Sequence, residues 1–92
     1  MKIQITSTTG KQIEFEALEN TIGSEKQINW ADSLKANMIG KLLNWALEQI
    51  EENNKNRIMS VIEKSNKIVD AKFWIDNRNM SNSSFGKIIE SL

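Results

Sequence analysis

A chain of 92 residues has room for one core, and 12 basic side chains against 12 acidic ones leave no net charge to draw it onto nucleic acid or an anionic membrane. Cysteine and histidine are both absent. That removes disulfides, thiolate nucleophiles, the usual general base at neutral pH, and the nitrogen and sulfur ligands of zinc and copper. With no proline either, no helix has an obligatory break and every backbone N–H can donate.

The first element is a hairpin over residues 1–18. Ile3 and Ile5 alternate with polar residues, as do Ile13, Phe15 and Ala17, and Thr8-Thr9-Gly10 lies between the two runs. A three-residue loop with Gly10 in the left-handed region pairs Ser7 with Lys11, Ile5 with Ile13 and Ile3 with Phe15, so all apolar side chains share one face. A two-residue loop sets Ile5 opposite Glu14 and scatters that face. A lone hairpin is marginal in water, so this one needs a helical layer to pack on.

That layer is predicted to begin at Ser24, where Ser24-Glu25-Lys26-Gln27 has the form of a capping box. Ile28, Ala31, Leu34, Met38, Leu42, Trp45 and Ala46 follow at helical spacing, widened by Ile39, Leu43, Leu47 and Ile50. The pattern gives a helix over 24–52, with Gly40 as a weak or close-contact point and a break near Ala36-Asn37 as the alternative. Asn54 then caps a second helix over 54–69, in which Ile58, Val61, Ile62, Ser65, Ile68 and Val69 keep the period. Asp70 caps a short helix reaching Arg78. Asn79 to Ser84 is a polar linker, and Phe85, Ile88, Ile89 and Leu92 mark a last helix over 83–92. The expectation is a single α+β domain over 1–92: an N-terminal hairpin packed on a helical part with one long helix and two or three shorter ones. No secretory apolar run follows Met1 and no stretch approaches the length of a membrane span, which predicts a cytoplasmic protein off the membrane. Asn79-Met80-Ser81 and Asn82-Ser83-Ser84 fit glycosylation sequons, patterns that arise by chance in a chain rich in Asn and Ser.

Catalytic motifs are missing. There is no Gly-x-Ser-x-Gly, no Ser-x-x-Lys and no Gly-x-Gly-x-x-Gly; Gly40-Lys41 and Gly86-Lys87 lack the rest of a phosphate-binding loop. Asp76-Asn77-Arg78-Asn79 is rich in oxygen, but Arg78 stands where a calcium loop needs a ligand. The chain is therefore expected to be no enzyme, with no cofactor and no metal. A catalyst built on carboxylates would require two acids in one cleft.

Binding is the remaining class. Lys72-Phe73-Trp74-Ile75 places three adjacent apolar residues on a short helix, and they cannot all face one side, so at least one is expected to meet a second surface. Asp76, Asn77 and Arg78 follow as a polar rim, and Trp30 is a lesser candidate anchor. The predicted protein-binding set is Phe73, Trp74, Asp76, Asn77, Arg78 and Trp30. A structural reading stands beside it: Arg78 caps a helix C-terminus or pairs with an acid of the long helix, and Asn77 ends the short helix in a left-handed conformation. The runner-up is a nucleic-acid surface made of Lys64, Lys67, Lys72, Trp74 and Arg78, with a solvated helix face as its plainer explanation. A homodimer follows if Ile39, Leu43, Leu47 and Ile50 exceed what the hairpin can cover.

Two stretches, Gly23-Ser24-Glu25-Lys26-Gln27-Ile28-Asn29-Trp30-Ala31 and Asp70-Ala71-Lys72-Phe73-Trp74-Ile75-Asp76-Asn77-Arg78, resemble motifs in small proteins of bacteria, their phages and mobile elements. The resemblance brings no activity and no residue role with it. Small phage proteins without catalytic groups include inhibitors of host defence, anti-CRISPR proteins among them. By that analogy of size and context, the expected function is a non-enzymatic protein-binding module, in its finer form a phage-encoded inhibitor.

Overall fold

The computed structural model describes residues 1–92 and has an α+β fold: strands β1 (Lys2–Thr6) and β2 (Gln12–Glu16), then helices α1 (Glu25–Glu48), α2 (Glu52–Asn66), α3 (Ala71–Asp76) and α4 (Asn82–Glu90). The hairpin has the predicted register, with Ile5 facing Ile13 and Ile3 facing Phe15. Ser7 N–H donates to Lys11 O at 2.7 Å, and Gly10 takes φ +85°, the only residue in the left-handed region. Ile3, Ile5, Ile13 and Phe15 all turn toward the core, where α1 covers them. Gly40 faces the hairpin, but close approach does not require a glycine there. A Cβ there would stand 3.6 Å from Ile5 Cδ1.

α1 runs about 36 Å and spans most of the molecule's 40 Å length; every other element packs against at least part of it. Its start is the predicted capping box, Ser24 Oγ accepting from Gln27 N–H and Gln27 Oε1 accepting from Ser24 N–H. The helix passes unbroken through Ala36, Asn37 and Gly40, so the alternative break is not taken. It ends earlier than the predicted 52, at Glu48, because Gln49 and Glu51 adopt extended backbone and turn the chain back. Ile50, in that turn, is fully exposed and leaves the apolar stripe. α2 therefore starts at Glu52, capped by the backbone of Glu51 with no side-chain bond, and Asn54 lies inside it rather than before it. No helix is long and apolar enough to cross a membrane.

α2 also stops early, at Asn66 rather than 69. Ile68 and Val69 belong instead to an extended link, where Ile22 N–H donates to Val69 O and Ala71 N–H donates to Ile22 O. That short parallel bridge holds the 17–23 segment beside the start of α3. Asp70 caps α3 as predicted, accepting from Lys72 N–H at 3.0 Å, and Ser81 caps α4. Ile39, Leu43 and Leu47 are all buried within the one chain. The stripe therefore leaves no uncovered face to motivate a dimer.

One charged residue lies at the centre. Lys35 follows Ala31 and precedes Met38 on the buried stripe and has no solvent exposure. Its Nζ donates to Leu18 O at 2.8 Å and to Asn66 O at 2.9 Å, and lies 6.0 Å from the Trp74 ring centre. Asn66 is the last residue of α2, so the ammonium caps that helix end and meets its negative dipole. Asn66 completes the joint: Leu18 N–H donates to its Oδ1 and its Nδ2 donates to Glu16 O. Burial lowers the Lys35 pKa, and nearby Asp32 works against that shift.

Candidate functional site

The apolar triplet divides between inside and outside as expected, but the member that goes inside is Trp74. Trp74 is only 2% exposed; it stacks on Phe85 with ring centres 5.7 Å apart and meets Phe73 edge to face at 5.5 Å. Its indole N–H donates to Ile68 O at 3.3 Å, which satisfies its one polar group. Trp74 is thus a core residue, and it leaves both predicted surfaces. Phe73 and Ile75 are half-buried on either side of it, while Asp76 is exposed.

Asn77 and Arg78 close the end of α3. Asn77 Nδ2 donates to Phe73 O at 2.7 Å and Arg78 Nη1 donates to Ile75 O at 2.6 Å. This is the helix-capping role foreseen for Arg78. Asn77 differs from expectation in its backbone, with φ −104° rather than a left-handed angle; its backbone N–H and its side chain both donate to Phe73 O.

Arg78 does something more. Its guanidinium carbon lies 5.2 Å from the centre of the Trp30 ring, and Trp30 is 48% exposed, the one tryptophan at the surface to that degree. The two residues are 48 positions apart in sequence and come together because α3 packs beside the first turns of α1. A hollow of about 70 Å³ adjoins Arg78, lined also by Leu34, Met38 and Asn77 among others. Of the predicted protein-binding residues, the structure therefore gathers Trp30 and Arg78 at the surface and keeps Phe73, Asp76 and Asn77 on the same short helix end.

The runner-up set is not assembled in the form predicted. Removal of Trp74 leaves Lys64, Lys67, Lys72 and Arg78 without the ring on which a base would stack. Lys64 instead donates to Leu92 O at the end of α4.

A second concavity had no counterpart in the sequence reading. Along the seam of α2 and α4 lie two hollows of about 310 and 370 Å³, and both border the Arg57–Glu90 pair. Arg57 reaches Glu90 through two parallel bonds, Nε at 2.8 Å and Nη2 at 2.9 Å. Those bonds hold the Glu90 carboxyl below its ordinary pKa and raise that of Arg57. Glu90 is the only acid on either hollow, so neither supplies the carboxylate pair that a catalyst of that kind would require. No protein-family model matches the chain, and neither the curated proteins nor the solved structures give a significant match.

Proposed function

We propose that this protein acts by binding another protein, through the surface where Arg78 lies over Trp30. The observation that carries the reading is that half-exposed indole, fixed from one side by a cation that is itself fastened to Ile75 O. Tryptophan and arginine lead among residues that carry interface energy, and an anchor already held in place loses little freedom on binding. Trp30 stands on α1, and Arg78, in the turn after α3, is tied by its side chain to Ile75 O, so the patch keeps its shape without the partner. Asp76 beside it supplies a rim charge that would tune partner choice more than affinity. Inhibition of a host-defence machine by a phage product is the finer form of this reading and rests on the resemblance alone.

The test is affinity capture from bacterial lysate, with and without nuclease, comparing wild type with Trp30→Ala. Trp30 is not part of the buried core, so Trp30→Ala should melt close to wild type while losing about 2 kcal/mol or more of binding, roughly thirtyfold in affinity. One stoichiometric protein that survives nuclease and is lost with Trp30→Ala is the expected result. A partner retained by the variant overturns this surface, and capture that vanishes with nuclease transfers the function to nucleic acid.

A further inference from the structure

We infer that the seam between α2 and α4 is a second binding site, and that it takes an acidic peptide segment carrying one apolar side chain. The inference starts from Gly86. It lies within α4 and is itself buried, yet a Cβ built on it would meet no atom within 4 Å. Glycine in a helix interior is the least favourable choice after proline, and close packing usually explains it. Here nothing packs against it. What the missing side chain leaves is open space at the floor of the 310 Å³ hollow, walled by Trp45 from α1 and Ile58 from α2. That volume is at the lower end for a small-molecule pocket and comfortably holds one large apolar side chain.

The rim names the charge of the occupant. Arg57 and Lys87 border the first hollow, and Arg57 and Lys64 border the second, against the single carboxylate of Glu90; Lys64 is already bonded to Leu92 O, so Lys87 is the rim cation with no partner. The Arg57–Glu90 pair is solvent-exposed, and exposed pairs contribute little net stability, so an incoming carboxylate can take over one side of Arg57 at small cost. The two hollows share Arg57, Val61 and Glu90, which makes the seam a furrow along the helices rather than a closed cavity. An extended chain reaches both hollows; a compact anion fills only one. A peptide can also space its carboxylates to either side of Glu90, whereas a nucleic-acid backbone carries a charge at every step and must meet it.

The furrow lies at the far end of α1 from Trp30, since Trp45 is 15 residues further along, about 22 Å. The two sites can therefore be tested separately. Random-peptide display on the immobilised wild-type chain selects ligands without presupposing their sequence, and the enriched peptides are then titrated by fluorescence anisotropy against four variants. The expected consensus is acidic with one aromatic or large aliphatic residue. Gly86→Leu, which fills the hollow, and Lys87→Glu, on an exposed position, should each weaken those peptides about tenfold or more. Gly86→Ala should melt no lower than wild type, confirming that glycine is not required for packing. Trp30→Ala should leave the peptides' affinity unchanged, which separates this site from the proposed protein-binding surface.

Absence of an acidic consensus overturns the inference, as does binding indifferent to both Gly86→Leu and Lys87→Glu. Loss of peptide binding in Trp30→Ala assigns the peptides to the other surface and overturns it as well. Competition by oligothymidylate at equal concentration would make the furrow a phosphate-backbone site instead. Should Gly86→Leu fail to fold, Lys87→Glu decides the matter alone.

Discussion

Replacing Lys35 by methionine keeps the length of the side chain and removes its charge, which isolates what the ammonium does in the core. In the wild type it is the donor to two backbone carbonyls, Leu18 O and Asn66 O, from a position without solvent exposure. A buried carbonyl stripped of its donor costs about 1–3 kcal/mol, so Asn66 O and the partly buried Leu18 O together cost up to about 6 kcal/mol. Part of that is returned, because methionine no longer has to desolvate an ammonium, the same penalty that lowers the Lys35 pKa. The net expectation is a loss of about 2–4 kcal/mol, a large share of the 5–15 kcal/mol that stabilises a typical domain. For a chain of this size, roughly 4–8 °C per kcal/mol translates that into a melting temperature lower by about 8–32 °C. Thermal unfolding followed by circular dichroism measures it. A variant melting within about 3 °C of wild type would refute the assignment of Lys35 as the joint between the hairpin's exit and α2. The pH dependence gives a second reading. Lys35 loses its proton in the folded chain at a pH where the unfolded chain, near the ordinary 10.5, still binds it. The wild type therefore gains further stability as pH rises from the lowered folded value to 10.5, where a neutral amine still donates to both carbonyls without the cost of a buried charge. The stability difference between wild type and Lys35→Met should grow with pH across that window.

Trp74→Ala should destabilise by about 3–5 kcal/mol, since it empties the stack on Phe85 and removes the donor to Ile68 O; denaturant unfolding checks it. Glu90 has a depressed folded pKa through its bonds to Arg57, so its contribution is present above the unfolded carboxyl value and lost as pH falls through the folded one. Glu90→Gln should flatten that part of the acid-unfolding profile. Gly10→Ala puts a side chain at φ +85° and should destabilise by roughly 1 kcal/mol, read as a shift in the urea midpoint at constant slope.

The hairpin was legible in the sequence because strand register is a local problem. Only one loop length brings Ile3, Ile5, Ile13 and Phe15 to the same face, and that is the pairing observed. The caps at Ser24 and Asp70 were equally local, each a side chain bonding its own helix's first turn. The ends of α1 and α2 were not. Neither Gln49-Ile50-Glu51 nor Lys67-Ile68-Val69 contains glycine or proline, so the apolar period runs on past the place where tertiary packing turns the chain. Trp74 was misplaced for a similar reason. Three adjacent apolar residues on a short helix must divide between inside and outside, but Phe85 and Ile68 decide that Trp74 goes in. Lys35 did leave a signal, sitting at apolar spacing between Ala31 and Met38, yet a lysine reads as surface until its two carbonyl partners are known. The pairing of Trp30 with Arg78 and the hollow above Gly86 depend on how separate helices dock, and no spacing within one helix encodes either.

The joint at Lys35 and Asn66 has a kinetic consequence. Leu18 N–H has its acceptor in a side chain 48 residues away, and the Lys35 contact to Asn66 O spans 31. Contacts with such separations form only after the intervening chain has been gathered, so the hairpin's exit can lock only once α2 lies against α1. Hydrogen exchange at the single amide of Leu18, whose acceptor is the Asn66 side chain, then reports when the end of α2 comes away.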